Sequence, residues 1–455
     1  MFALLIGLSA ASLFAADDVG ARIDDLIHRE MTRQKIPGVA IAVVQHGEVL
    51  VARGYGLANV EQDVPVDQNT IFQSGSVGKQ FTAVLITLLI EDGKIALEDS
   101  VTKYFPEAPE SWRSITVHHL LTHTSGIPNY ESADFDLQRN YTELELIRRA
   151  TSLKPQFAAG ARWSYSNTGY MLLGLLVKRV TGQFYGDVLR DRIFNPIGMK
   201  TAQVISDTDI VPRRASGYQL VDGALKNQAW VSPILNTTAD GCLYFSLNDL
   251  LAWDQAWRSQ AVLKPESWAM VKTPVHLNSG RTYPYGFGIN LFDENGQTVE
   301  RHSGAWQGFK AFRARYVGDD FSVLVLANLA QAMPDRIGDG IAAFFKSKRD
   351  ASPEPVPKEN LAVTLRLTRL LGEARDGKLK PEELAYVDIE YFSAVAPRLV
   401  KRLAGIGSLR QLKLTESIEL GDDMIYRYEA AFGDQKLIVR IGIAPDDKVS
   451  TFVIN

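Results

Sequence analysis

The sequence is almost free of cysteine, which limits the chemistry that it can use. Its 455 residues include one cysteine, Cys242, so an internal disulfide and a cysteine-based zinc site are excluded. Cys242 lies in an apolar run, which favours a buried and inert thiol. His118, His119 and His123 cluster, but no carboxylate or cysteine stands at the spacing that a metal site requires. We predict no metal and no cofactor.

The sequence also lacks an excess of charge of either sign. Its 49 basic and 53 acidic residues give a net charge of −4, so nothing favours a nucleic-acid partner. No run of about 20 apolar residues is present, and no membrane span is predicted beyond the N-terminal segment. A hydrophobic content of 46% in a chain of this length predicts a globular protein with a large core and more than one domain.

The N-terminal segment is typical of an export signal, although its basic start is missing. Phe2 to Ala15 is apolar and rich in small residues, and the alanine pair at 15–16 suits signal peptidase. No lysine or arginine precedes this stretch. We predict a signal peptide over residues 1–16 and a periplasmic or secreted protein, with a cytoplasmic one as the alternative.

The spacing of Ser76 and Lys79 is the most informative feature that is present. Residues three apart lie on the same face of a helix, so a hydroxyl and an amine can meet within hydrogen-bond reach. Such an amine can take the proton that makes serine a nucleophile. Phe81 to Ile90 is nearly all apolar and predicts a buried helix. A lysine at the start of such a helix is unusual, which suggests that it has a specific role. Gly75 lets the chain turn tightly into this helix.

Two polar clusters further along the chain complete the pattern. A Tyr-Ser-Asn cluster at 165–167 precedes an apolar helix, and a His-Ser-Gly cluster at 302–304 precedes a strand-like segment. Taken singly, Tyr165 suits a tyrosine with a satisfied hydroxyl, Asn167 a helix cap and His302 a hydrogen-bonded histidine. Their joint occurrence with the serine and lysine favours a catalytic site.

The order of these motifs resembles the serine hydrolases of the class C β-lactamase and penicillin-binding-protein family. That family includes DD-peptidases, D-aminopeptidases and family VIII carboxylesterases. Three further segments are similar to family motifs, namely His119–Ile127 to HLLTHTSG, Ala239–Leu250 to AGGLYST…DL and Tyr285–Gly288 to YGLG. The resemblance covers roughly residues 20–348.

The resemblance implies roles for eight residues in or next to these motifs. Ser76 attacks an acyl carbon and carries it as an ester. Lys79 and Tyr165 are the candidates for moving the serine proton, and the sequence leaves open which of them is the base. Substrate binding and the oxyanion hole, which uses the backbone N–H groups of the serine and of the residue after His-Ser-Gly, are assigned to Asn167, His302, Ser303, Gly304 and Ala305.

One position departs from many β-lactamases, which carry lysine where this chain has His302. Histidine is mostly neutral near pH 7, whereas lysine presents a fixed positive charge to a substrate carboxylate. We therefore expect cleavage of short acyl esters or D-residue peptides rather than efficient hydrolysis of cephalosporins. If β-lactams are hydrolysed well, Arg313 or Arg315 is the alternative holder of the carboxylate.

The predicted fold is α+β, with a β-lactamase/transpeptidase-like antiparallel sheet flanked by helices. The sheet is expected from the hairpin at 39–54 and the strands at 286–328, because both segments have strand patterns. A large, mostly helical insertion spans about 75–275. This hydrolase domain is predicted over residues 17–348.

A small accessory domain is predicted after a proline-rich linker at 349–358. It spans residues 359–455 and is α+β, with helices at Asn360–Ala374 and Pro381–Leu403 followed by four strands. It carries no recognisable catalytic cluster, and its role and the oligomeric state are left open.

The predicted function is that of a serine hydrolase acting through an acyl-enzyme on Ser76. Its partner is a small-molecule ester, a D-residue peptide or amide, or a β-lactam. Two alternatives remain: a penicillin-binding sensor or receptor that is acylated but turns over slowly, and a catalytically silent homologue.

Overall fold

The structure is a computed structural model that describes residues 10–131, 135–205, 209–346, 359–385, 389–433 and 435–454. The predicted linker at 349–358 and the first nine residues of the predicted signal peptide lie outside the described residues. The α-helices are α1 Ala10–Gln34, α2 Lys79–Glu91, α3 Val117–Leu121, α4 Glu143–Ser152, α5 Asn167–Thr181, α6 Tyr185–Leu189, α7 Asn195–Ile197, α8 Leu247–Arg258, α9 Pro265–Val271, α10 Pro334–Ala342, α11 Leu361–Arg375 and α12 Ile389–Ala404. The strands are β1 Gly38–Gln45, β2 Glu48–Asn59, β3 Val64–Pro65, β4 Ile71–Gln73, β5 Tyr218–Val221, β6 Ala224–Asn227, β7 Tyr244–Ser246, β8 Val275–His276, β9 Thr282–Tyr283, β10 Asn290–Glu294, β11 Gln297–Trp306, β12 Phe309–Tyr316, β13 Phe321–Ala327, β14 Leu409–Leu420, β15 Asp423–Phe432, β16 Gln435–Ile443 and β17 Val449–Ile454.

A seven-stranded antiparallel sheet forms the centre of the main body, in the order β10-β11-β12-β13-β1-β2-β3. In the middle of the sheet, the first strand β1 pairs with the last strand β13, although they are far apart in the sequence. The register sets Val39 opposite Ala327 and Val43 opposite Val323. β13 is buried along its whole length and β1 along all but its last residue, which explains their nearly uninterrupted apolar sequences. The predicted α+β fold with one antiparallel sheet is confirmed.

Two hydrophobic cores cover the two faces of this sheet. On one face α1 and α10 pack through fully buried side chains such as Ile27 and Ile337. The other face belongs to a larger core that includes α2, α5 and α8. The helical segment between β4 and β8 therefore lies against one face of the sheet, and α2 carries its N-terminus to the strands of that face.

The C-terminal residues build their own core. β14 to β17 form a four-stranded antiparallel sheet in sequence order, and α11 packs on it through Leu367 and Leu370 against buried residues such as Tyr428 and Ile441. None of the helices in the described part of the chain is long and apolar enough to cross a membrane.

The turn between β14 and β15 contacts the main body. The Arg162 guanidinium and the Asp423 carboxylate form an ion pair at 2.5 Å, with 13% and 17% of the side chains exposed. The backbone N–H of Gly421 donates to the carbonyl of Thr282 at 3.3 Å, and Arg281 lies 3.0 Å from Glu419. These contacts hold the C-terminal unit beside the segment that leads to Tyr165.

Three elements differ from the sequence prediction. The strand expected from Gly286 begins at Asn290, because Gly288 has φ +72° and lies so close to Lys79 that a Cβ there would be 2.7 Å from its carbonyl oxygen. His302 lies inside β11 rather than before a strand. The helix expected over Pro381–Leu403 is instead a 3-10 turn at its start and then α12, since residues near the proline take the tighter turn.

Candidate active site

Ser76 lies in a 3-10 turn, Gly75–Gly78, that runs directly into α2. Strand β11 passes unusually close to this turn. A Cβ at Gly75, which has φ +49°, would lie 2.1 Å from the backbone nitrogen of Ala305, and one at Gly304 would lie 2.0 Å from the carbonyl oxygen of Ser74. Because both positions are glycine, the turn and β11 can approach so closely that the backbone nitrogens of Ser76 and Ala305 border the same gap.

Lys79 is fully buried and is held by three acceptors. Its ammonium nitrogen donates to Ser76 Oγ at 3.1 Å and to Asn167 Oδ1 at 2.9 Å, and also to the carbonyl oxygen of Asp240. None of the described carboxylates forms an ion pair with it. The predicted contact between the serine hydroxyl and the lysine amine is present in the structure.

Asn167 is the first residue of α5, and it is not the cap of that helix. Ser166 caps the helix by accepting a hydrogen bond from the backbone of Gly169. The Asn167 side chain is thus free to bridge two charged groups, because Oδ1 accepts from Lys79 and Nδ2 donates to Glu131 Oε2 at 2.9 Å.

Glu131 extends the polar chain by one further carboxylate. The pKa of Glu131 is raised to about 7, mainly by burial and also by the negative charge of Asp240, while the Asn167 hydrogen bond and Lys79 act in the opposite direction. Glu131 is therefore a carboxylate that changes charge near neutral pH, two hydrogen bonds from the lysine that touches Ser76.

Tyr165 lines the same cleft, but its hydroxyl has no hydrogen-bond partner among the described residues although it is buried. The Lys79 ammonium lies 4.9 Å from the centre of its ring, and the His123 ring is 4.3 Å away. Buried polar atoms are almost always satisfied in folded proteins. An unsatisfied hydroxyl at this position is therefore available to a bound molecule.

His302 is almost completely buried and belongs to a chain of aromatic groups. Its Nε2 lies 3.3 Å from the Tyr285 hydroxyl, which in turn lies 3.1 Å from Nε2 of His123. The pKa of His302 is lowered to about 4, mainly by burial and also by the positive charge of Lys79, while the hydrogen bond that Nδ1 donates to the carbonyl oxygen of Ser303 acts in the opposite direction. The imidazole is therefore neutral at pH 7. It carries no charge where many β-lactamases have a lysine.

The cleft beside Ser76 has a volume of about 580 Å³. Trp163 and Tyr165 form its wall on the side of the helical segment. The opposite wall consists of strand residues and the start of α10: Asn290, Phe292, Arg301, His302, Ser303, Gly304, Ala305, Lys310, Ala332, Met333, Pro334 and Asp335.

Neither arginine named as the alternative holder of a substrate carboxylate lines this cleft. Arg313 is fully buried in an ion pair with Asp254 at 2.9 Å. Arg315 is paired with Glu300 at 3.6 Å and with Asp320 at 3.4 Å. Alternation along β12 directs Arg313 and Arg315 to the face opposite Lys310, so the structure gives this alternative no support. The cations that do line the cleft are Arg301 and Lys310.

The residues described by the structure include no group of three histidine, cysteine or carboxylate side chains arranged to hold a metal ion. The clustered histidines make other contacts: His119 Nδ1 accepts from the backbone of Thr116 at 3.0 Å, and His123 Nδ1 accepts from Ser166 at 3.1 Å. His119 thus helps to cap the short helix α3, and His123 supports the loop that carries Tyr165.

The chain matches a family model described as Beta-lactamase over residues 23–346. It belongs to the β-lactamase family. Two similar proteins are penicillin-binding protein 4* of Bacillus subtilis, 29% identical over 63% of this chain and 67% of that protein, and a D-aminopeptidase of Gluconobacter oxydans, 29% identical over 69% and 60%. The chain thus spans about two thirds or less of the length of these relatives.

A solved structure extends the similarity to the C-terminal unit. The octameric penicillin-binding protein homologue from Pyrococcus abyssi superposes with a TM-score of 0.63 at 24% identity, covering 96% of this chain and 99% of that one. At this identity the likeness establishes a shared fold, including the part of this β-lactamase-family chain that lies beyond the family match.

Sequence reasoning named the residues that meet at Ser76 but missed several of their neighbours. Tyr285 and Asp240 stood in the quoted family segments without a role. Glu131 had no signal, because an isolated glutamate after Asn-Tyr resembles any surface carboxylate. The contacts of Asp240 and Glu131 depend on how the segments before β7 and before α4 fold near Lys79 and Asn167, and no local pattern encodes that.

Proposed function

We propose that this protein is a serine hydrolase that forms an acyl-enzyme on Ser76 and acts on D-aminoacyl amides or peptides with a free α-amine. The observation that carries the proposal is the chain of hydrogen bonds from Ser76 through Lys79 and Asn167 to Glu131. It joins an activated hydroxyl to a carboxylate that can accept a cationic amine. The D-aminopeptidase relatives support the same substrate class.

In the proposed reaction Lys79 acts as the base. It is the group that contacts Ser76 Oγ, whereas the Tyr165 hydroxyl contacts no described residue. Serine attacks the carbonyl carbon, and its proton passes to the lysine amine. Tyr165 then relays a proton to the departing amine, for which its unpartnered hydroxyl in the cleft is suited. Water repeats the sequence to release the acid.

The oxyanion of the tetrahedral intermediate is bound by the backbone N–H groups of Ser76 and Ala305. The close contact of the 3-10 turn with β11 supports this assignment, because both nitrogens border the gap that Gly75 and Gly304 leave. Removing one such donor typically costs on the order of 10²-fold or more in rate.

His302 does not provide the cationic anchor for a β-lactam carboxylate that lysine provides at this position in many β-lactamases. His302 is neutral, with a pKa of about 4, and is occupied by Tyr285 and Ser303. It offers no fixed positive charge to the carboxylate of a cephalosporin. Short acyl esters need only the nucleophile and the oxyanion hole, so we expect them to be cleaved as secondary substrates.

The test is a substrate panel with the wild-type protein and Ser76→Ala. D-alanine p-nitroanilide, its L enantiomer, p-nitrophenyl acetate and nitrocefin separate the proposed activity from esterase and β-lactamase activity. We expect the highest kcat/KM on the D-aminoacyl anilide, and loss of turnover and of fluorophosphonate labelling in the variant. A faster reaction with nitrocefin than with the anilide would overturn the proposal.

A penicillin-binding receptor is the second candidate, favoured by the name of the B. subtilis relative. It differs in one observable, the lifetime of the acyl-enzyme. Intact-mass measurement after mixing with benzylpenicillin would find a stable adduct at Ser76 that persists for hours in a receptor. In the hydrolase that we propose, no adduct accumulates with the D-aminoacyl substrate.

A further inference from the structure

The cleft contains a lysine that the proposed chemistry does not use. Lys310 lies on β12 directly opposite Ala305 of β11, and both line the cleft with Ser76. Side chains of directly opposed residues stand on the same face of a sheet, with Cβ atoms roughly 5 Å apart. The Lys310 side chain therefore lies on the same face as Ala305, and it lines the cleft together with residues at the start of α10.

Lys310 is half-buried yet makes no ion pair or hydrogen bond with any described residue. Burial lowers its pKa, and the carboxylate of Asp335 at the start of α10 acts in the opposite direction. A lysine is costly to desolvate without a partner. The cation is thus set up for a negative group that enters the cleft.

Arg301, the other cation of the cleft, is already neutralised. Its guanidinium lies 3.5 Å from Glu294 and 3.6 Å from Asp339, and it rests over the rings of Phe292 and Phe312. The two cations of this wall therefore differ in availability, because Lys310 forms no ion pair with a described residue and has only the longer-range interaction with Asp335.

We propose that Lys310 forms a subsite for a substrate carboxylate, on the wall of the cleft opposite Trp163 and Tyr165. With Phe292 and Met333 beside it, this subsite takes a carboxylate carried by a small residue on the leaving side of the scissile amide. The inference rests on the proposed function, because it makes the preferred substrate a short peptide that presents its amine to Glu131 and its terminal carboxylate to Lys310.

The matched substrates D-alanylglycine and D-alanylglycinamide test the subsite, since they differ only in the terminal group. We expect a KM roughly tenfold lower for D-alanylglycine in the wild-type protein, the scale of one charge-assisted contact. Lys310→Met should remove this preference while leaving the kinetics of the glycinamide unchanged. Lys310→Arg should retain it. Equal effects of Lys310→Met on both substrates, or no effect on either, would contradict the proposal.

Asp335→Asn provides a variant that should act in the opposite direction. Removing the competing carboxylate leaves Lys310 wholly to the substrate, so we expect tighter binding of D-alanylglycine with no change for the glycinamide. Lys346→Met serves as the control, because that lysine is paired with Glu294 and is not part of the cleft wall. A loss of D-alanylglycine binding in Asp335→Asn would count against the subsite.

A second measurement separates the subsite from the proposed function. If no D-alanyl substrate is cleaved, the free amine and hence the proposed function are wrong. Protection of Ser76 from fluorophosphonate by N-acetylglycine, compared with N-acetylglycinamide, then tests Lys310 alone. We expect the acid to protect better in the wild-type protein and equally in Lys310→Met. Equal protection in the wild-type protein overturns the inference.

Discussion

At the scale of single residues, the site is a short relay of polar contacts that starts at Ser76. Lys79 is fully buried and has only neutral acceptors around its ammonium group, namely a hydroxyl, an amide and a backbone carbonyl. These three acceptors fix the amine beside Ser76 Oγ, which is the position that the proposed proton transfer requires.

We predict that Lys79→Met and Tyr165→Phe each lower kcat by at least about 10²-fold, the scale of losing an acid-base group. Since both act on one proton path, the double variant should lose much less than the product of the two single losses. Steady-state kinetics on the best substrate of the panel measures all three. Losses that multiply would show that the two groups act independently.

A second prediction at this scale concerns Glu131, whose pKa is raised to about 7. The carboxylate must be ionised to bind an ammonium group, so kcat/KM for a D-aminoacyl anilide should rise with pH through about 7. In Glu131→Gln the overall rate should fall and this inflection should vanish. Hydrolysis of p-nitrophenyl acetate, which has no amine, serves as the control and should not lose an inflection in the variant.

At the scale of elements, the contact between β11 and the 3-10 turn before α2 creates the site. Each element is ordinary by itself. Their backbones approach so closely that side chains are excluded at Gly75 and Gly304, and this proximity aligns two backbone N–H groups that no single element could present together.

We predict that Gly304→Ala lowers kcat by about 10²-fold or more, because the added methyl group would meet the carbonyl of Ser74 and push β11 away from Ser76. Gly372→Ala in α11 is the control, since nothing lies within 4 Å of its added Cβ. That change should leave kcat unaltered and raise helix stability slightly. Kinetics and thermal melting of the two variants test this, and an active Gly304→Ala would refute the oxyanion assignment.

At the scale of the whole molecule, the C-terminal unit is linked to the cleft through the turn between β14 and β15. Arg162, which pairs with Asp423, precedes Trp163 in the chain, and the Trp163 ring stacks on Tyr283 at 4.2 Å. Trp163 and Tyr165 both line the cleft. The position of this wall therefore depends on contacts with a separate core.

We predict that Asp423→Ala lowers kcat severalfold, because it leaves Arg162 largely buried without this partner and loosens the loop that carries Tyr165. The charge-reversed pair Arg162→Asp with Asp423→Arg should recover part of the loss. Glu383→Ala is the control, as it removes an exposed ion pair with Arg369 within the C-terminal unit and should leave kcat unchanged. Equal kinetics in Asp423→Ala and in the wild-type protein would show that the C-terminal unit does not influence catalysis.

At the same scale, the contribution of His302 to the stability of the folded molecule should fall on acidification. His302 has a folded pKa of about 4 against an ordinary value of 6.5, so the unfolded chain binds its proton first as the pH falls. This contribution is complete above pH 6.5 and is lost as the pH falls toward 4. Glu131 acts in the opposite direction between its ordinary value of 4.5 and about 7.

The measurement is the melting temperature of the wild-type protein and of His302→Gln between pH 7 and pH 5. We expect a smaller drop in the variant, by an amount equivalent to about 1–2 kcal/mol in unfolding free energy. An equal drop in both proteins would mean that the imidazole is not held neutral.

The sequence by itself determined the family, the sheet and the residues that meet at Ser76. Apolar strands such as β1 and β13, the buried helix after Lys79 and the three polar clusters are local patterns, and local patterns follow from side-chain periodicity and motif spacing. The serine and lysine could be placed together because residues three apart on a helix lie on the same face, whatever the tertiary structure.

Only the tertiary structure decided what surrounds that pair. His302 lies within β11 because that strand pairs with β12 as far as Trp306, whereas its pairing with β10 ends at Arg301. In the sequence the following serine and glycine resemble a loop. Arg313 and Arg315 could not be excluded from their sequence positions, since the direction of a strand residue depends on which face is covered. Burial shifts the pKa of Glu131 and surrounds Lys310 without giving it an ion pair. Since burial is a property of the packed molecule, neither role could be predicted from the sequence.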